Sequence, residues 1–373
     1  MLSIACISST GASAQDNSGE ANTDSLTSAF VPALGYSSNE GLVGGLIYSR
    51  YDNSGDVEPF TSHLKSSAMV STNGYVKVRA DYERTQNFGR PIRSTLNAYF
   101  NRFTTNNFFG IGNDVPFDQQ QWENEYYYFE SVGFGVGYDL RKPVYRNQNS
   151  HLDLMGGIET EYQIPYIRKT PSSFEQRRPL GREGGWLNFV KTGLIWENRD
   201  REFDPRRGNR FALELRYAPE LVSRYGLGTA RLELRQYFQL FNSITVANFF
   251  EARHVEGDIP YWELSTLADE NTLRGYPRNR FQGNSSVAYT LELRSWLFEF
   301  PQFYRLKLGM QLFTDTGRVF TPGDDIQDLF EGYKQTIGIG GAMSVISPDF
   351  ILRGEIGFSE EVSRIYVGVG YLF

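Results

Sequence analysis

The 373-residue chain has a single cysteine, Cys6, and three histidines, His63, His151 and His254. One cysteine leaves no intrachain disulfide and no thiolate metal cluster. The histidines lie in or beside different predicted strands, and none is read as part of a catalytic Ser–His motif. The chain also lacks a Gly-x-Ser-x-Gly elbow, a phosphate-binding P-loop and a His-Glu-x-x-His pair. An outer-membrane phospholipase needs a Ser–His pairing, a patatin-type lipase the elbow, nucleotide chemistry the P-loop and a metalloprotease the His-Glu-x-x-His pair. These absences argue against an enzyme and call for no cofactor and no metal. Basic excess is missing too: 37 Lys and Arg stand against 44 Asp and Glu, a net charge of −7, which gives no argument for nucleic acid. Nor does any apolar run approach the ~18–20 residues of a membrane-spanning helix.

Aromatic residues are abundant, with 23 Tyr and 28 Phe making up most of a 15% aromatic content. An aromatic-rich chain without long apolar runs is either a soluble all-β protein or a transmembrane β-barrel. Strand periodicity separates them. "SVAYTLELRSWL" puts Val287, Tyr289, Leu291 and Leu293 on one face and Ala288, Thr290, Glu292 and Arg294 on the other. "YRLKLGMQLFTD" sets Leu306, Leu308, Met310 and Leu312 opposite Arg305, Lys307, Gln311, Phe313 and Asp315. "RLELRQYFQL", "RFALELRY" and "YVKVRADY" repeat the pattern. Full charges on every second residue describe a sheet with one greasy and one wet side. The number of strands sharing it favours an antiparallel transmembrane barrel over a soluble sandwich.

Turn signals divide the chain into about sixteen strands, an even number as in bacterial single-chain barrels, with fourteen as the other count. Starts are predicted near Ser28, Gly41, Thr61, Tyr75, Arg93, Glu123, His151, Trp186, Arg210, Thr229, Ser243, Ser286, Tyr304, Lys334, Phe350 and Val362. With the N-terminus in the periplasm, the long connections Asn101–Trp122, Pro165–Gly185, Val255–Ser285 and Thr321–Tyr333 face outward. The short turns "PQFY" and "SPDF" face the periplasm. Ahead of the strands, Ala12-Ser13-Ala14 before Gln15 reads as a signal-peptidase site. The segment lacks a basic n-region, so the leader is either truncated or begun at a misplaced start. A lipoprotein reading through Cys6 is weaker, because Ser3 stands where a lipobox has Leu. The expected division is a signal peptide at 1–14, a short polar linker at 15–28 and a barrel at 29–373.

The stretch "ENTLRGYPRNRFQGN" crowds three arginines, two glycines and a proline into the sixth outward connection. At "LRGYPRNRF" the chain resembles the BamA/TamA-type (bacterial surface antigen) superfamily of outer-membrane insertases and translocases. The resemblance implies that this sixth loop folds back into the barrel and presents a tip of Arg274, Gly275 and Tyr276. It further implies that the tip arginine meets acidic residues of the next two strands. The matching motifs "YTLELR" and "LFTDTG" give Glu292 and Asp315, with Phe313 and Gly317 in the same segment. Alternation independently puts both carboxylates on the lumen face. "ENRDREFDPRRGNRFALEL" resembles the family's periplasmic turn between strands 8 and 9, with Asp200, Pro205 and Gly208 in place. "FFGIGND" resembles its third-loop segment and "ALGYSSNEG" its first hairpin. Insertases and two-partner secretion pores of the family carry POTRA domains ahead of the barrel. The dozen or so polar residues here are too few for one, as in the branch without an N-terminal domain known mainly from Bacteroidota.

A guanidinium donates two parallel hydrogen bonds to a carboxylate, and glycine lets the backbone turn tightly at a loop tip. Arg274 on Glu292 and Asp315 therefore reads as an internal latch, serving either as a brace and plug or as a dynamic element. Arg278 and Arg280 are left unassigned. Pro32 and Gly35 of the first strand, facing Gly368 and Gly370 of the last, predict a seam with fewer ladder bonds. In the family this seam opens laterally and templates client strands. The ending "VSRIYVGVGYLF" places Ile365, Val367, Val369, Tyr371 and Phe373 on one side, and Tyr371 and Phe373 resemble the signal read by outer-membrane assembly machinery. The partners so implied are that machinery, client proteins, a separate periplasmic partner, and outer-membrane lipids and lipopolysaccharide around the outer loops. Two functions remain: a barrel assisting insertion or translocation of outer-membrane and surface proteins, or a passive channel or structural barrel plugged by its arginine loop.

Overall fold

A strand with one apolar and one polar face can satisfy its backbone in a bilayer only if every neighbour does the same, and only a closed sheet has no edge. In the computed structural model the described residues are 26–373 except 39, 55–59, 88, 202–203, 242, 269–270, 301–305 and 345–350. The strands are β1 (Leu26–Ser37), β2 (Gly41–Asp52), β3 (Ser62–Ser71), β4 (Val76–Arg84), β5 (Arg93–Asn107), β6 (Tyr128–Arg146), β7 (His151–Tyr166), β8 (Gly185–Glu197) and β9 (Gly208–Ala218). They continue as β10 (Leu227–Leu240), β11 (Ile244–Gly257), β12 (Ser265–Leu267), β13 (Phe281–Gly283), β14 (Ser285–Phe300), β15 (Leu306–Phe320), β16 (Lys334–Ser344), β17 (Ile351–Phe358) and β18 (Ser363–Val369). Sixteen of them form one antiparallel barrel, each pairing with its neighbour in sequence, and β18 returns to β1. The short β12 and β13 form a separate hairpin within the connection from β11 to β14.

The alternation read from the sequence is the alternation of the wall. Along β14, Ala288, Thr290, Glu292 and Arg294 are buried, while Tyr289 and Leu293 are exposed on the outer face. Along β15, Gln311, Phe313 and Asp315 are buried and Leu308, Met310 and Leu312 exposed. Polar residues are buried here because they face a filled lumen. An open pore would leave them wet.

Three expectations need correction. β1 begins at Leu26, so the first strand takes in the last residues assigned to the linker. The sixth strand begins at Tyr128 and not near Glu123, because Gln119–Glu123 winds into a short helix, α1, whose first turn is capped by Asp118. The last strand stops at Val369. Gly370 takes a left-handed φ of 80° and donates its N–H to the carbonyl of Ile351, so residues 371–373 leave the strand. Phe373 is therefore not on the outer face with Ile365 and Val367. Its ring is buried with Tyr237, Phe249 and Ala247, stacked on Phe249 at 5.1 Å. The segments 1–14 and 15–25, and the turns "PQFY" and "SPDF", lie outside the described residues.

Candidate functional site: the arginine tip and the barrel seam

The connection from Gly257 to Ser285 opens and closes on the hairpin β12–β13 and carries Arg274 between them. An apolar cluster of Leu267, Ala268, Leu273, Tyr276 and Phe281 packs it against Ala288 of β14 and Val319 of β15. Gly317 lies where Leu267 comes closest to the wall: a Cβ there would stand 2.9 Å from the Leu267 methyl. The loop is thereby packed against residues of β14 and β15.

Arg274 is fully buried. Its Nη2 and Nε donate to the two oxygens of Asp315 at 2.8 and 3.0 Å, a bidentate pair, and its backbone N–H donates to the same carboxylate at 2.9 Å. Nη1 donates to Glu292 at 2.7 Å and to Glu355 at 3.1 Å. The guanidinium lies over the Phe313 ring, 3.4 Å from its centroid. Burial works against the charge of Arg274, but Asp315, Glu292 and Glu355 more than offset it and hold the guanidinium charged, above its ordinary range. Arg294 donates to Glu292 at 2.8 Å, and Arg353 approaches Glu355 at 3.6 Å. Three carboxylates thus face three guanidiniums, the arrangement that makes buried charge tolerable.

The structure brings Arg274, Glu292, Phe313 and Asp315 together in one contact. Glu355 belongs to the same cluster and was missed by sequence reading. It sits in "LRGEIGF", whose alternation puts Arg353, Glu355 and Gly357 inward, so the signal was present. Gly275 has a φ of 115° and donates to the Tyr366 hydroxyl at 3.1 Å. A Cβ at Gly275 would stand 2.9 Å from the backbone of Gly357. The loop tip and β17 therefore approach each other backbone to backbone. Tyr276 packs edge-on against Phe281 and donates to Glu360 at 3.2 Å.

At the seam, β1 pairs with β2 along its whole length, from Leu26↔Asp52 to Ser37↔Gly41. On its other side it meets β18 at a single register pair, Ser37↔Tyr366. Ser38 N–H adds a bond to the carbonyl of Ile365 at 3.3 Å. Pro32 pairs with Leu46 of β2, and Gly35 with Val43. A Cβ on Gly35 would come 3.3 Å from the carbonyl of Val367, and one on Gly368 3.4 Å from Arg353. Tyr371 lies under the Arg294 guanidinium, 4.2 Å from its centre, and Arg294 donates to the carbonyl of Phe373 at 3.2 Å. The ends of the last strand and of the arginine network thus share one residue. Among the described residues no group of histidine, cysteine and acidic side chains could hold a metal ion.

The Omp85 superfamily domain matches residues 63–373. A search of curated proteins by sequence finds no match. Among solved structures the fold is similar to BamA from Haemophilus ducreyi lacking POTRA domains 1–3, with a TM-score of 0.61 and 14% identity over 93% of this chain and 70% of that one. It is also similar to CdiB from Escherichia coli, with a TM-score of 0.61 and 13% identity over 94% of this chain and 64% of that one. CdiB from Acinetobacter baumannii gives 0.58 and 10% over 93% and 60%. The chain spans less than two thirds of either CdiB.

Proposed function

We propose, for a chain that belongs to the Omp85 superfamily, that the barrel sits in the outer membrane and assists insertion or translocation of outer-membrane or surface proteins through the seam between β1 and β18. The observation that carries this reading is the asymmetry of β1. One edge is fully laddered to β2, while among the described residues the other is in register with β18 at Ser37 alone. An unpaired strand edge is a template for another strand, and main-chain hydrogen bonds supply affinity without a requirement for client sequence. The driving force is then the folding of the client in the bilayer, and no nucleotide or cofactor enters. Arg274 with its carboxylates on β14, β15 and β17 keeps the loop seated beside the seam while the seam exchanges partners. Client proteins and a separate periplasmic partner belong to the same proposal, as does contact of the long loops with lipopolysaccharide.

Quantitative mass spectrometry of outer membranes from a deletion strain and its parent tests it. A defined set of barrels or surface proteins should fall in abundance. An unchanged outer-membrane proteome would refute the proposal in favour of a passive barrel, and conductance in planar bilayers would then be the measurement to make.

A further inference from the structure

The seam is weak, yet the barrel is closed, so something other than a strand ladder holds its ends together. Two arginines that follow the loop tip lie at the place where such a restraint would act. Arg278 is buried and forms an ion pair with Glu40, which is itself buried on the turn between β1 and β2. The guanidinium of Arg278 lies 5.2 Å from the centre of the Phe103 ring, and its backbone carbonyl accepts from Asn107 at 3.0 Å. Thr105 donates to the other oxygen of Glu40 at 3.4 Å. Arg278 is thus fixed on the β1 side of the seam.

Arg280 points to the opposite flank. Its Nε donates to both oxygens of Glu361 at 2.9 and 2.8 Å, on the turn between β17 and β18. Three more bonds tie the same few loop residues to that flank. Gly275 donates to Tyr366 at 3.1 Å, Tyr276 donates to Glu360 at 3.2 Å, and Ser359 donates to the carbonyl of Gly275 at 3.2 Å. One short stretch of loop therefore grips both strands that flank the seam, and every grip lies at the long-loop end. Among the described residues the hydrogen bonds and register pair of the seam, at Ser37, Ser38, Ile365 and Tyr366, lie at that end as well. Leu26–Tyr36, running toward the short-turn end, have no partner in β18 among the described residues.

We infer that Arg278 with Glu40 and Arg280 with Glu361 form a clamp across the long-loop end of the seam, distinct from the Arg274 network. The clamp makes that end the hinge, so the seam parts first at the short-turn end, where β1 is free to accept a strand. This rests on the seam reading proposed above and assigns its regulation: the ion pairs set how far the opening runs along β1. Removing either carboxylate takes away that ion pair and loosens one flank, whereas exchanging the two charges keeps the pair.

Double electron–electron resonance on the full chain in lipid nanodiscs, with Cys6→Ser, tests the clamp. One pair of spin labels at Tyr36 and Val367 reports the long-loop end, and a second at Ala29 and Leu352 reports the short-turn end. The unsubstituted clamp should give a narrow distance at the first pair and a broader one at the second. Glu40→Gln and Glu361→Gln should each raise a longer-distance population at the first pair at least tenfold. The double exchange Glu40→Arg with Arg278→Glu should remove that population again. A first pair that stays narrow in both single variants, in barrels that still shift on heating in a gel, overturns the clamp. If Glu40→Gln does not fold, Glu361→Gln decides alone. Client assembly in the same variants separates the two ideas. A widened distance with an unchanged outer-membrane proteome keeps the clamp and refutes the proposed function. A narrow distance beside altered client assembly keeps that function and refutes the clamp.

Discussion

The wall formed by β14 and β15 and the seam formed by β18 and β1 are made of the same kind of strand, yet they are held in opposite ways. β14 and β15 pair from Ser285↔Phe320 to Phe300↔Leu306, with one bulge at Trp296 and Phe298. That wall also carries Glu292, Phe313 and Asp315, so the arginine tip is moored on a pair of strands laddered along their length. The seam has one register pair among the described residues, and side chains of the loop add ion pairs on both its flanks. A ladder is strong because each bond adds to its neighbours, and it releases only when many bonds break together. A few ion pairs on one loop can release singly. The contrast teaches that one loop spans a fully laddered wall and a seam that, among the described residues, is sparsely laddered.

The largest expected effect comes from removing the mooring. Arg274→Ala leaves Asp315 buried without its guanidinium and takes one of two guanidiniums from each of Glu292 and Glu355, a loss of about 3–5 kcal/mol for a broken buried network. The barrel should then lose its heat-modifiable migration or fail to assemble, and Arg274→Lys should recover only part, since an ammonium cannot make the bidentate contact. Unchanged migration of Arg274→Ala would show that the wall does not depend on the tip. Next in size is Phe373→Ala, which empties the buried contact with Phe249 and Tyr237 and should cost about 3 kcal/mol in thermal unfolding followed by tryptophan fluorescence. Little change there would mean that the inward turn of residues 371–373 contributes nothing to the wall. Gly275→Ala meets both a φ of 115° and the backbone of Gly357. Strain of that kind costs about 1–3 kcal/mol, and the loss should appear as a lower unfolding temperature with the strands intact by circular dichroism.

Much of this was legible in the sequence because a barrel strand writes its environment in every second residue. The starts of β2, β5, β7 and β16 were read to the residue, and the inward placement of Glu292 and Asp315 follows from alternation alone. Contacts between segments distant in the chain were not legible. Arg278 finds Glu40 across 238 positions, and nothing near either residue announces the other. Glu355 was readable as inward-facing but not as a third partner, because that depends on how far the loop reaches across the lumen. The tail went wrong for a local reason. Alternation was carried through Gly370, and a left-handed glycine ends a strand.

The smallest predicted effect sharpens the comparison most. Proline has no N–H to give to a ladder, and in the body of a closed sheet replacing it with alanine would restore a bond. Pro32 pairs with Leu46 on β2 and has no partner in β18 among the described residues. Alanine there gains little across the seam and returns some backbone freedom to the unfolded chain, a penalty of about 0.4–1 kcal/mol. Pro32→Ala should therefore be slightly destabilising in thermal unfolding. A clear stabilisation would instead mean that β1 and β18 ladder through position 32 in the bilayer, and the distinction between wall and seam would narrow to the clamp alone.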